Sequence, residues 1–143
     1  MRFWDSSAVV PVLVEETTSA RIGQLFAEDR GVIVWWSTPI ECTSAIVRRE
    51  RRGEIEPAES ARAMSRLDKL TSDWTEVLPS EHLRSVARRM LRVHDLRASD
   101  ALQLAAAVIA AASEPRGLEM VCLDQRLSLA AQKEGLRTLP STA

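Results

Sequence analysis

The stretch Arg2-Phe3-Trp4-Asp5-Ser6-Ser7-Ala8 holds in miniature the pattern that decides the fold: a short apolar run, a carboxylate at its end, and residues able to open a helix. The same pattern returns near the other end of the chain, where Met120-Val121-Cys122-Leu123 runs into Asp124 and Gln125. Short apolar runs of β-favouring residues read as buried strands, and longer segments with helical periodicity read as helices. Outward from the first stretch, this reading predicts strands at Arg2–Trp4, Gly31–Trp36, Trp74–Leu78, Glu119–Leu123 and Arg137–Leu139. Between them it predicts helices at Val9–Glu16, Ser19–Glu28, Pro39–Arg52, Pro57–Leu70, Glu81–Val93, Asp100–Ala112 and Gln125–Glu134. Strands alternating with helices are the signature of an α/β fold with a mostly parallel sheet.

Several boundaries carry their own chemistry. Ser37 and Thr38 precede Pro39, and Glu56 precedes Pro57; proline suits the first helical position because its missing N–H is unpaired there in any case. Gly53 and Gly135 stand where a left-handed helix cap costs least, and Pro115–Gly117 reads as a turn before the apolar run Leu118–Leu123. No linker, repeat or low-complexity tract interrupts residues 1–143, which read as one domain.

Composition narrows the function. The chain has 143 residues, 45% hydrophobic and 27% charged, with a net charge of −1, so binding of nucleic acid through bulk charge is excluded while local patches are not. Two distant cysteines, Cys42 and Cys122, offer neither a zinc spacing nor a disulfide framework and read as reduced, buried thiols of a cytoplasmic protein. The amino terminus reaches a carboxylate at Asp5 with no apolar core of a signal peptide. The longest apolar run, Ala101–Ala112, falls short of the roughly 20 residues that span a bilayer, so no membrane association is expected.

Parallel α/β sheets bind ligands beyond the carboxyl ends of their strands. Asp5 and Asp124 follow strands directly, Glu41 lies in the first turn of the helix after the second strand, and Asp100 opens the Ala-rich helix. Each has a plain structural alternative. Thr38-Pro39-Ile40-Glu41 fits a capping box, so Glu41 reads equally as a cap and as a site residue. Asp100 and Asp124 sit where an acid complements a helix dipole, and Ser6 or Ser7 could cap the first helix. Together, four such acids at one sheet edge would raise one another's pKa unless a cation relieved them. An all-oxygen ligand set suits Mg²⁺ or Mn²⁺, and such a site can activate water and stabilise a phosphodiester under in-line attack.

In this order Asp5-Ser6-Ser7-Ala8, Glu41, Ser99-Asp100-Ala101-Leu102-Gln103-Leu104-Ala105 and Leu123-Asp124-Gln125-Arg126-Leu127 resemble the acidic motifs of the PIN-domain family, and in size the chain resembles its VapC-type toxins. The resemblance runs from end to end. It implies a three-layer α/β/α sandwich with a small, mostly parallel sheet. It further implies a metal-dependent endoribonuclease with Asp5, Glu41, Asp100 and Asp124 around Mg²⁺ or Mn²⁺, Glu41 binding directly or through water. Cleavage leaving a 5′-phosphate and a 3′-hydroxyl, inhibition by a VapB-type antitoxin and homodimerisation are implied as well. Two positions depart from the family pattern: Gln103 stands where His is usual, a change of small expected consequence, and Cys122 where Thr or Ser is common, which removes a hydroxyl that would order the site. Ser7 matches a small hydroxylic residue that lines the pocket in the family, with a helix cap as its alternative.

Of the 19 basic residues only Lys69 and Lys133 are lysines; the rest are arginines, whose planar fork suits phosphate. Helical spacing puts Arg48 on the Glu41 face with Arg52 a turn further on, where RNA or an antitoxin could be met; the alternative is a solvated helix end paired with Glu50 and Glu54. Arg84, Arg88, Arg89 and Arg92 read as a solvated stripe. Adjacent Trp35 and Trp36 must face opposite sides of a strand, one filling the core and one free to anchor a partner. His82 and His94 are too few for a His-based phosphohydrolase and read as helix-end residues. Two rival functions are weighed against the ribonuclease. A receiver-like phosphoacceptor domain lacks its second acid after Asp5 and its loop lysine, and a non-catalytic PIN-like module binding RNA or protein would lack metal affinity.

Overall fold

Along each strand of this protein alternate residues face opposite ways, and in the three inner strands both faces are buried. The computed structural model describes residues 1–114 and 116–141. The chain runs β1 (Arg2–Trp4), α1 (Ser6–Leu13), α2 (Ser19–Glu28), β2 (Val32–Trp35), α3 (Thr38–Arg51), α4 (Pro57–Asp73), β3 (Thr75–Val77), α5 (Glu81–Val93), α6 (Ala98–Ala112), β4 (Glu119–Val121), α7 (Gln125–Lys133) and β5 (Arg137–Leu139). Phe3, Ile33, Trp35, Met120 and Cys122 pack under α5, α6 and α7 with Leu83, Met90, Leu104 and Leu127. Trp4, Val34 and Val121 pack on the other side against α1 to α4, with Val9, Leu13, Ile22, Ile46 and Leu67. Two apolar cores divided by one sheet make the three layers.

The strands lie in the order β3-β2-β1-β4-β5, and every pairing is parallel. Central β1 pairs on one side through Arg2 with Val32 and on the other through Arg2 with Glu119. The chain builds outward from β1 through β2 to β3, then crosses back to place β4 on the other flank of β1. That reversal opens a crevice beyond the carboxyl ends of β1 and β4.

Most predicted elements stand, with shifted ends. The first helix starts at Ser6 rather than Val9, because Asp5 itself caps it by accepting the Ser7 N–H, so neither Ser6 nor Ser7 is the cap. Ser37 is the N-cap residue of α3, which puts Pro39 one position further in than the sequence suggested. Helix α4 continues to Asp73, α6 begins at Ala98, and β2 and β4 are each shorter than predicted. Gly53 and Gly135 take positive φ angles of 72° and 90° after α3 and α7, the backbone form those caps require. Of the predicted turn, Pro115 lies outside the described residues, and Gly117 has φ 83°. Among the described residues no helix is long and apolar enough to cross a membrane.

Asp29 ties the two central strands together at their start. Its side chain has no solvent exposure and accepts from the Trp4 indole Nε1–H at 2.8 Å and from the Gly31 N–H at 3.0 Å, with the amino terminus 3.4 Å away. Replacing it by alanine would strand two donors, each costing roughly 1–3 kcal/mol when left unpaired in the interior. Asp29→Ala is therefore expected to lower unfolding stability in urea by about 2–4 kcal/mol, and Asp29→Asn by less, since the amide keeps one acceptor. A loss under about 1 kcal/mol for the alanine variant would show that the tie is dispensable.

Candidate functional site

The crevice gathers the four acids that the sequence singled out. Asp5 ends β1 and caps α1; Asp124 follows β4 and caps α7 by accepting the Leu127 N–H at 2.9 Å. Glu41 lies in the first turn of α3 and Asp100 in the first turn of α6. All four line one open cavity of about 450 Å³, with Ser7 and Arg48 among its walls. The capping role foreseen for Asp124 coexists with this placement, because a cap uses only one carboxylate oxygen.

Asp5 is 3% exposed and tightly held. Its Oδ2 accepts from the Ser7 N–H at 3.1 Å and the Ser7 hydroxyl at 2.5 Å. Ser7 Oγ in turn accepts the Leu123 N–H at 2.9 Å, so this serine joins the ends of β1 and β4. The Cys122 thiol lies 3.7 Å from the same Asp5 oxygen; burial pushes it up, and it stays a weak neutral donor where a hydroxyl would be stronger.

Glu41 is not a capping-box residue. Ser37 caps α3 by backbone position alone, and the Glu41 carboxylate turns to side chains instead. It accepts from Gln103 Nε2 at 2.7 Å and from the hydroxyls of Ser37 and Ser6 at 3.4 Å each. Gln103 is wholly buried and also donates to Thr38 Oγ1 at 3.0 Å, leaving its Oε1 without a partner among the described residues. Small consequence was expected of this glutamine; its spacing one turn beyond Ser99 and Asp100 on α6 was the available signal that it reaches the same cavity.

Burial is the main cause of the shifted acids. It raises Asp5 to about 6, opposed by the Ser7 bonds and reinforced by the charges of Asp100 and Asp124. Glu41 rises to about 7, again through burial first, with the Gln103 bond opposing and the Asp5 charge adding. Asp100 is raised by burial and then by Asp124. The carboxylates thus sense one another. Asp5 Oδ1, Asp124 Oδ2 and both oxygens of Asp100 accept no hydrogen bond from the described residues, which leaves hard oxygen donors free at the cavity. Such donors fit a divalent cation of the Mg²⁺ or Mn²⁺ type. Among the described residues no three His, Cys, Asp or Glu side chains already stand in the geometry of a metal site, so the acids share a cavity without forming a closed chelate.

Arg48 joins the cavity wall as its spacing indicated, but Arg52 is the exposed C-cap of α3 and is not part of that wall. Arg49 pairs with Glu16 at 2.5 Å, whereas Glu50 and Glu54 make no ion pair among the described residues. No role was foreseen for two further arginines: Arg97 and Arg126, the latter quoted only within its motif, border a polar cavity of about 470 Å³ that shares Ser99, Asp100 and Asp124 with the first. Arg126 lies two residues past Asp124, and Arg97 three before Asp100, so the acids themselves could have flagged them. Trp35 is buried at 5% and Trp36 exposed at 46%, as their alternation required. His94 is the C-cap of α5, its N–H donating to the Met90 carbonyl at 2.9 Å, and it is not free in solvent: its side chain is 6% exposed and lies 2.7 Å from Glu134, which Arg89 also holds.

No protein-family profile matches the sequence, and no curated protein matches it. Solved structures do match, with low identity. A toxin–antitoxin complex from Klebsiella pneumoniae is 15% identical, covers 90% of each chain and superposes with a TM-score of 0.62. A VapC toxin of Mycobacterium tuberculosis that cleaves the sarcin–ricin loop is 17% identical over 91% of this chain and 95% of its own, with a TM-score of 0.65. FitAcB from Neisseria gonorrhoeae is 12% identical over 96% of each chain, with a TM-score of 0.66. The chain therefore has the PIN-like three-layer fold of these proteins, as the motif resemblance implied.

The raised acids make stability fall with pH. An unfolded carboxyl group titrates near pH 4, while Asp5 and Glu41 hold their protons to about 6 and 7 in the folded protein. Between those values the folded state binds more protons than the unfolded one, so stability is greatest at low pH and drops as pH rises through 6 and 7. In EDTA, the melting temperature of the protein is expected to fall relative to that of Asp5→Asn as pH goes from 5 to 7.5. Parallel melting curves for the two proteins over this range would show that Asp5 carries no such load.

Proposed function

We propose that this chain, which has the fold of VapC-type toxins, is itself the toxin of a toxin–antitoxin pair and acts as a metal-dependent endoribonuclease. The observation that carries this reading is the convergence of four acids, from four separate elements, on one cavity that also holds an arginine. A structural cap at each helix start would explain the acids singly, yet caps have no reason to share a cavity and burden one another's ionisation.

Asp5, Asp100 and Asp124 would hold Mg²⁺ or Mn²⁺, with Glu41 binding directly or through water. When bound, such an ion acidifies water and offsets the charge of the phosphodiester. The rest is supplied by the chain. Ser7 fixes Asp5 in one orientation, and Gln103 donates to Glu41 so that its carboxylate stays at the cavity wall. Arg48 offers a planar fork to a substrate phosphate beside the acids. An RNA substrate, a VapB-type antitoxin, homodimerisation and a cytoplasmic location complete the proposal. The sarcin–ricin loop specificity of the Mycobacterium tuberculosis toxin supports RNA as the substrate class.

Asp5→Asn and Asp100→Asn are each expected to reduce cleavage of total tRNA and rRNA by about 100-fold or more, the upper end of what changes behind a metal ligand cost. EDTA should abolish cleavage and Mn²⁺ restore it, and expression of either variant should no longer arrest growth. Unchanged cleavage in both variants would overturn the ribonuclease reading. A wild-type protein that binds no Mn²⁺ by calorimetry and cuts no RNA would instead be the non-catalytic module.

A further inference from the structure

The polar cavity of about 470 Å³ that adjoins the acid site is walled by Arg97, Ser99, Asp100, Asp124, Gln125 and Arg126. We propose that it holds the phosphate next to the one that is cut, with Arg97 and Arg126 as its two grips, a proposal that rests on the ribonuclease reading. Three observations converge on it. The donors of this wall are free: the side chains of Arg97, Ser99 and Gln125 make no hydrogen bond or ion pair among the described residues. Arg126 only approaches Asp95, at 3.8 Å and with both side chains exposed, too far for a hydrogen bond. Neither arginine comes within ion-pair distance of Asp100 or Asp124, so the forks are not used up in neutralising the acids. Both arginines also stand at helix starts, Arg97 as the N-cap residue of α6 with no side-chain bond to the helix and Arg126 as the second residue of α7. A helix start is the positive end of the dipole, so the helices themselves give no reason for a cation at either place. Finally, Ser99, Asp100 and Asp124 belong to both cavities, which makes this one the direct continuation of the acid site.

The make-up of the wall decides the occupant. No aliphatic or aromatic side chain lines it, so it offers neither a pocket for the apolar anchor of a protein partner nor a platform for a base. It offers two planar forks, a hydroxyl and a carboxamide, the groups that contact nucleic-acid phosphates. An acidic peptide would meet the same arginines, yet Asp100 and Asp124 repel it and nothing ties it to them. A strand that presents one phosphodiester to those acids carries the next phosphate one nucleotide away on the same backbone. Arg48 stands on the far wall of the acid cavity, so cationic side chains flank the acids on both sides. The strand then runs from α3, across the acids, to the starts of α6 and α7. Phosphate contacts carry no base information, so this cavity sets the register of the strand and not its sequence.

The test is fluorescence anisotropy of the full chain with a labelled single-stranded RNA hexamer, in EDTA so that no metal contributes, over a series of KCl concentrations. On single strands each neutralised phosphate adds about 0.7 to the slope of log affinity against log salt. The double variant Arg97→Gln/Arg126→Gln is expected to lose about that much slope and to bind roughly 10-fold more weakly at low salt. Arg126→Lys, which keeps the charge and loses the fork, should keep the slope and part of the affinity. Arg88→Gln, which alters an exposed arginine of α5 outside both cavities, should change neither. All the variants should melt with the wild type, since the altered side chains are exposed. A labelled hexaglutamate peptide should not bind. An unchanged slope in the double variant, an equal loss in Arg88→Gln, or no RNA binding by the wild type overturns the phosphate site. So does weakened binding that comes only with a lowered melting temperature. Hexaglutamate binding that the double variant abolishes, with the RNA slope intact, overturns it in favour of an acidic protein partner. Cleavage of total tRNA and rRNA that depends on Asp5, while RNA binding ignores Arg97 and Arg126, defeats this inference alone. Cleavage indifferent to Asp5 defeats the ribonuclease reading beneath it.

Discussion

A parallel sheet buried on both faces has only its strand ends left for polar chemistry. In this protein that constraint is severe, because the strands are three or four residues long and nearly all the apolar side chains of the three inner ones, β2, β1 and β4, are committed to one of two apolar cores. Phe3 and Trp4 face opposite layers, and the next residue, Asp5, is the first that the chain can spend on function. The crossing of the chain from one side of β1 to the other then sets Asp124 beside Asp5 and holds the flanking helices apart. Everything polar in the site hangs from that geometry.

The arrangement concentrates negative charge at a place where burial already disfavours it. The fold answers with neutral donors. Ser7 satisfies Asp5 and, through the Leu123 N–H, links it to β4; Gln103 satisfies Glu41 from the wholly buried face of α6. These bonds oppose the burial effect without cancelling it, which leaves the site in a state that a cation would relieve. Arginines stand around the acids without neutralising them: Arg48 on one side, Arg97 and Arg126 on the other. The near-zero net charge of the whole chain thus conceals an acidic centre with basic borders.

Much of this was legible in the residues. Alternation of short apolar runs with helical periodicity, and the placing of acids at strand ends, are local patterns, and both held. Helix ends were less so. Asp5 caps α1 and shifted its start forward because a cap depends on which neighbour supplies the acceptor, and Ser6, Ser7 and Asp5 could all have served. Glu41 fitted a capping box by spacing alone; the side chain turned elsewhere because Gln103, distant in sequence, offered a stronger donor.

The amino-acid sequence by itself determined the class of fold, the two-faced burial of its inner strands and the identity of the four acids, since each depends on periodicity or on a residue beside a strand or at a helix start. Only the tertiary structure decided that β4 lies next to β1, that Ser7 and Gln103 are the residues orienting the acids, and that Arg48 reaches the cavity while Arg52 does not. The physical reason is range. Periodicity is written within a single element, whereas a hydrogen bond between α3 and α6, or a cavity shared by Arg97 and Arg126, exists only once separate elements have packed.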